Sequence, residues 1–126
     1  MKKFYNVPTL VLLLSVSGNL YGHCQVPCGI YDDAVRVVQI EEDIATIRKA
    51  MSMIKGLSGK SDAQSINQMI RWVNTKESHA VKIQETVSSY FLAQRIKPKK
   101  KGAAGRQKYV NQTLLLQQLI VAAMKC

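Results

Sequence analysis

Three stretches of this chain place apolar side chains at alternating steps of three and four, and no stretch alternates with a period of two. That spacing puts the apolar positions on one face of a helix and excludes a half-buried strand. In the first stretch the stripe is Val37, Ile40, Ile44, Ile47, Met51 and Ile54. Asp32 or Asp33 can cap its start, and the acidic run Glu41 to Asp43 lies early, where it complements the helix dipole. Gly56 and Gly59 end it, and Ser61 or Asp62 can cap the next helix. The second stripe is Ile66, Met69, Val73, Lys76, Ala80, Ile83, Val87 and Tyr90. Lys76 is its one polar interruption, able to snorkel or to pair with a carboxylate. The helix ends near Ile96, before Lys97-Pro98. A third, from about Arg106 to Met124, carries Val110, Leu114, Leu115, Leu116, Leu119, Ile120, Val121 and Met124. The expected fold is all-α: an up-and-down helical bundle, four-helix-bundle-like, with three long helices. The wide stripe on the third helix favours contact with more than one neighbour, and hence a homo-oligomer.

The start of the chain has a different design. Lys2 and Lys3 precede a short apolar run from Val7 to Val16, followed by Ser17, Gly18 and Asn19. This is the layout of a secretory leader, and the run is short for a transmembrane helix. Gly22 suits the last position before a cut. The expected organisation is a removed leader over 1–22 and one domain over 23–126, divided into a metal-binding hook (23–31) and a bundle (32–126). A signal peptide implies export, periplasmic or extracellular. A pro-segment cut by a dedicated protease leaves the protein cytoplasmic, and an uncleaved anchor is the remaining reading of these residues.

Immediately after Gly22 stands HCQVPCGIYDD, from His23 to Asp33. A cut before His23 frees an α-amine with an ordinary pKa of about 8, which a metal displaces from its proton readily. The amine, the Cys24 peptide nitrogen and the Cys24 thiol close two consecutive five-membered chelate rings. Cys28 returns a second thiolate if the chain turns, and Pro27 and Gly29 are turn residues. His23 adds an imidazole above the plane. A planar set of two nitrogens and two sulfurs favours Ni(II) or Cu(II) over tetrahedral zinc. Thiolate and ionised amide donors also lower the potential needed to reach a higher oxidation state. The same cysteines can instead form a disulfide in an exported protein. Cys126, the third, is most simply a free or intermolecular thiol.

His23, Cys24, Pro27, Cys28, Gly29 and Tyr31 fall at the fixed positions of the His-Cys-x-x-Pro-Cys-Gly-x-Tyr hook, and the segment resembles that of nickel-containing superoxide dismutases. KESHA (76–80) and SSYF (88–91) look like helical segments of the same family. The resemblance implies one nickel ion per subunit, held by the His23 amine and imidazole, the Cys24 amide and thiolate, and the Cys28 thiolate. It implies that Tyr31 lies beside the open face and positions small anions and water. It also implies superoxide as substrate and a hexamer of helical bundles. Members of the family often carry a Glu on the first helix that supports the His imidazole, for which Glu41 is the candidate. His79 falls where some members have an Arg near the hook. Gln25 stands where many carry Asp. Read without the resemblance, Tyr31 is a packing or capping residue and His79 a hydrogen-bonded helix residue.

The formal charge of +10 becomes +8 without Lys2 and Lys3, since ten less two lysines is eight. A field of that sign draws in small anions, and it equally suits anionic polymers or lipid. Seven Lys or Arg fall within 95–108. No stacking aromatics are interleaved with them, so a specific nucleic-acid partner is not expected and a solvated basic loop is the favoured reading. Two other functions fit the residues: an exported nickel- or copper-binding protein without catalysis, and a disulfide-bonded helical protein that binds anionic polymers through this loop.

Overall fold

The computed structural model describes residues 32–126. Helix α1 spans Asp33–Leu57, α2 spans Ala63–Glu85, and α3 spans Arg106–Met124. Between α2 and α3 the chain continues without a break as a π-helix, Thr86–Arg95. No strand occurs among the described residues, so the all-α bundle expected from the periodicity is the fold.

The ends of the helices follow local chemistry. The Asp32 carboxylate accepts from the Ala34 N–H at 2.8 Å and starts α1. The Asp62 carboxylate accepts from the Ser65 N–H at 2.9 Å and starts α2. Each satisfies a backbone donor that the first turn leaves without an internal partner. Beyond α1 the chain reverses through Gly59 at φ 83°, a left-handed conformation that costs glycine little.

The second helical run is one rod of 23 α-helical and 10 π-helical residues. Its conversion to π geometry begins where the Ser88 hydroxyl donates back to the carbonyls of Gln84 (2.7 Å) and Glu85 (3.3 Å). A side chain that competes for those carbonyls loosens the regular ladder. The wide geometry is closed at its end by the Ile96 N–H donating to the Phe91 carbonyl, five residues back, at 2.9 Å. The run stops at Ile96, where the residues before Pro98 turn extended.

This central rod packs against both other helices. The core joins Ile40 and Ile47 of α1, Ala80 and Ile83 of α2, Val87 of the π-helix and Ala123 of α3, with Ile44, Phe91, Leu92, Leu116, Leu119 and Ile120 packed around them. The first stripe is thus buried at Ile40 and Ile47 and the second at Ala80, Ile83, Val87 and Tyr90, while Leu116, Leu119 and Ile120 of the third are partly covered. Val37, Met51, Ile66 and Leu114 stand about half exposed, and Leu115 and Met124 more so. Lys76, the polar interruption, donates to the Cys126 carbonyl and pairs with Glu77 at 2.9 Å, tying the end of α3 to the middle of α2.

Candidate metal centre

The hook, with His23, Cys24, Cys28 and Tyr31, lies outside the described residues. Among the described residues no group of three His, Cys, Asp or Glu side chains could hold a metal ion. Their one histidine is His79 and their one cysteine is the exposed Cys126. Soft sulfur donors next to nitrogen donors, the set that suits nickel, occur in this chain only at 23–28.

Two polar clusters of the bundle involve α1. The first is at the root of α1, two residues beyond Tyr31. Arg95, the last π-helical residue, straddles the Asp33 carboxylate: Nε is 2.7 Å from Oδ1 and Nη2 is 2.8 Å from Oδ2. The Tyr90 hydroxyl donates to Asp33 Oδ1. The guanidinium carbons of Arg36 and Arg95 each stand 5.9 Å from the centre of the Tyr90 ring, which meets Phe91 edge to face at 5.1 Å. Hydrogen bonding from Arg95, then from Tyr90, holds the Asp33 carboxyl below its ordinary range. The same carboxylate, by accepting from the phenol, pushes the Tyr90 hydroxyl above its ordinary value. Tyr90 is 6% exposed, and a buried phenol needs such a partner.

The second cluster lies farther along α1, facing α2. His79 Nδ1 is 2.5 Å from Asp43 Oδ1, and both side chains are mostly buried. A carboxylate only accepts, so Nδ1 donates and Nε2 is left to face elsewhere. The pair borders an open polar groove of about 420 Å³ lined also by Gln39, Glu42, Thr46, Lys82 and Thr86.

The structure thus joins His79 to Asp43 and places Glu41 on the exposed side of α1. Two residues along a helix amount to a rotation of roughly 200°. Asp43 is three residues from Ile40 and four from Ile47, so it sits on the buried stripe. A carboxylate in that register was the signal available for finding it. Tyr90 belongs to the apolar stripe of the second run, and its hydroxyl is the feature that requires an acceptor there.

The described residues form an all-α bundle, and in the sequence a segment with His23, Cys24 and Cys28 precedes it. A family model described as nickel-containing superoxide dismutase matches residues 19–126, and the chain belongs to that family. It is an oxidoreductase of superoxide, and its metal is nickel. Neither the curated proteins nor the solved structures contain a match to it.

Proposed function

We propose that the working enzyme begins at His23 and disproportionates superoxide to O2 and H2O2 with nickel held by His23, Cys24 and Cys28. The observation that carries this reading is the run of six hook residues directly behind a leader-like segment, in a chain whose family match extends to its last residue. The chemistry that bound nickel supplies is one-electron exchange between its divalent and trivalent states. The remaining tasks fall to the chain. Freed by removal of 1–22, the His23 amine and imidazole, the Cys24 amide nitrogen and thiolate, and the Cys28 thiolate would hold the ion. Tyr31 orders water and the small anion beside it, and water there delivers the two protons that peroxide formation consumes. Glu41 and the Asp43–His79 pair are the candidates to support the His23 imidazole. Subunits associate through the half-exposed apolar residues of α1 and α2, Met51, Ile66 and Ile70, as a hexamer by family resemblance. The leader directs export.

The test compares the nickel-loaded chain starting at His23 with one bearing a single extra residue before it. The first should dismutate superoxide and show the electron-spin signal of trivalent nickel. In the second the amine is displaced, and both signal and activity should vanish. Full activity in the extended chain, or a Cys24–Cys28 disulfide that excludes nickel from the first, overturns the ligand assignment.

A further inference from the structure

Charge is divided along this chain. Residues 23–85 hold eight Lys or Arg and eight Asp or Glu, which cancel. Residues 86–126 hold eight Lys or Arg and no acidic residue, so the whole excess lies there. Every residue from 97 to 108 is exposed. The two arginines bounding the loop are committed to the protein itself. Arg95 holds Asp33, and Arg106 donates to the Lys99 carbonyl and lies over the Tyr109 ring at 5.2 Å. What faces solvent is lysine: Lys97, Lys99, Lys100, Lys101 and Lys108, none of which joins an ion pair among the described residues.

The loop is also folded in advance. The Ala103 N–H donates to the Lys100 carbonyl at 3.2 Å and the Arg106 N–H to the Ala103 carbonyl at 3.1 Å. Gly102 and Gly105, at φ 81° and 77°, carry these turns. Three consecutive lysines are thereby gathered in one turn at the head of α3. Farther along the same helix Leu114 and Leu115 are 54% and 65% exposed. Leu115 lies seven residues from Lys108, hence on the same side and roughly 10 Å along the axis.

We propose that the 97–108 loop, with Leu114 and Leu115, is a docking surface for an anionic phospholipid bilayer. Lysines are hydrated point charges without the planar fork that reads one phosphate's geometry, so they respond to charge density. A cluster of four to eight of them at the head of a helix with an apolar side is the pattern that anionic headgroups attract. The leucines can enter the boundary between headgroups and acyl chains while the lysines stay among the headgroups. No residue beyond Glu85 is acidic, and Asp33, the carboxylate beside the start of the loop, is paired with Arg95. Nucleic acid fits less well, since no aromatic lies between 95 and 108 to stack on a base and exposed leucines have no partner in a phosphate backbone. Docking is peripheral, for no described helix is long and apolar enough to cross a membrane.

The experiment uses the nickel-loaded chain starting at His23, because the leader carries lysines and an apolar run of its own. It is sedimented with vesicles of phosphatidylcholine alone and of phosphatidylcholine mixed with phosphatidylserine. Binding is expected to the mixed vesicles only, and to be released by salt. Each lysine near such a surface contributes roughly fivefold in affinity, so Lys99→Gln, Lys100→Gln and Lys101→Gln together should cost about a hundredfold. Leu115→Ser should cost about tenfold or more. Circular dichroism confirms that the helices persist in each variant. The proposal is overturned by equal binding to the two vesicle types or by an unchanged triple variant. Duplex DNA bound at the same salt without regard to Leu115→Ser also overturns it, and marks the loop as a nucleic-acid surface. Dismutation enters none of these readings, so the result is independent of the ligand assignment above.

Discussion

Asp33 is the residue through which the start of α1 is fastened to the far end of the second helical run. Its carboxyl is held below the ordinary range by Arg95 and then Tyr90, while the Tyr90 hydroxyl is held above its own. The signs of the two contributions differ. A depressed carboxyl stabilises the fold above its unfolded value of about 4, and that contribution fades as pH falls through the lower folded value. A raised phenol stabilises below its unfolded value of about 10, and fades as pH climbs through the higher folded value. The cluster is thus intact across the neutral range and lost at both extremes. Arg95→Gln removes the larger influence on Asp33 and should move the acid unfolding midpoint, followed by helical circular dichroism, to higher pH. Tyr90→Phe should leave the acid limb nearer to wild type and remove the alkaline contribution. An acid midpoint unmoved by Arg95→Gln would show that the guanidinium gives Asp33 no preference for its charged form. Because Asp33 is 45% exposed, salt should weaken the effect.

At the scale of elements, the core depends on few side chains. Ile83 is 2% exposed and Val87 fully buried, at the junction of α and π geometry. Ile83→Ala should cost about 2–5 kcal/mol and Ile83→Val about 1 kcal/mol in urea unfolding. A loss below 1 kcal/mol for the alanine would mean that α1 closes over the gap. Much of this arrangement was legible beforehand, because its causes are local. Asp32 and Asp62 announce helix starts, Gly59 announces a reversal, and the steps of three and four reveal which face turns inward. The π-helix was not legible, since it contains neither proline nor glycine and begins with a back-bond from Ser88 that regular helices also tolerate. The hook lies outside the described residues and rests on its contiguous string of donors in the sequence. The partner of His79 was not legible either, because choosing among Glu41, Glu42 and Asp43 requires the rotation of α1 against α2, and residues far apart in sequence set that rotation.

For the whole molecule, the decisive fact is how much apolar side chain three helices leave uncovered. Ile66 and Ile70 stand one turn apart on α2 and are 47% and 55% exposed, and Met51, on the antiparallel α1, is 50% exposed. A chain of this size buries a modest share of its surface, and association is the ordinary way to add to it. Ile70→Glu separates folding of the subunit from assembly. In an isolated subunit the position is exposed enough that the change should cost within about 0.5 kcal/mol. In an assembly a carboxylate enters an apolar contact without a partner, which is far more expensive than the loss of the isoleucine alone. Sedimentation should therefore show the wild-type chain as an oligomer and Ile70→Glu shifted toward monomer at unchanged helix content, and its melting temperature should lose its dependence on protein concentration. An unaltered sedimentation coefficient would move the interface away from this end of the bundle, to the half-exposed Val35 and Val38 at the first turns of α1. There the neighbouring subunit would stand at the start of α1, beside the cluster of Asp33, Tyr90 and Arg95.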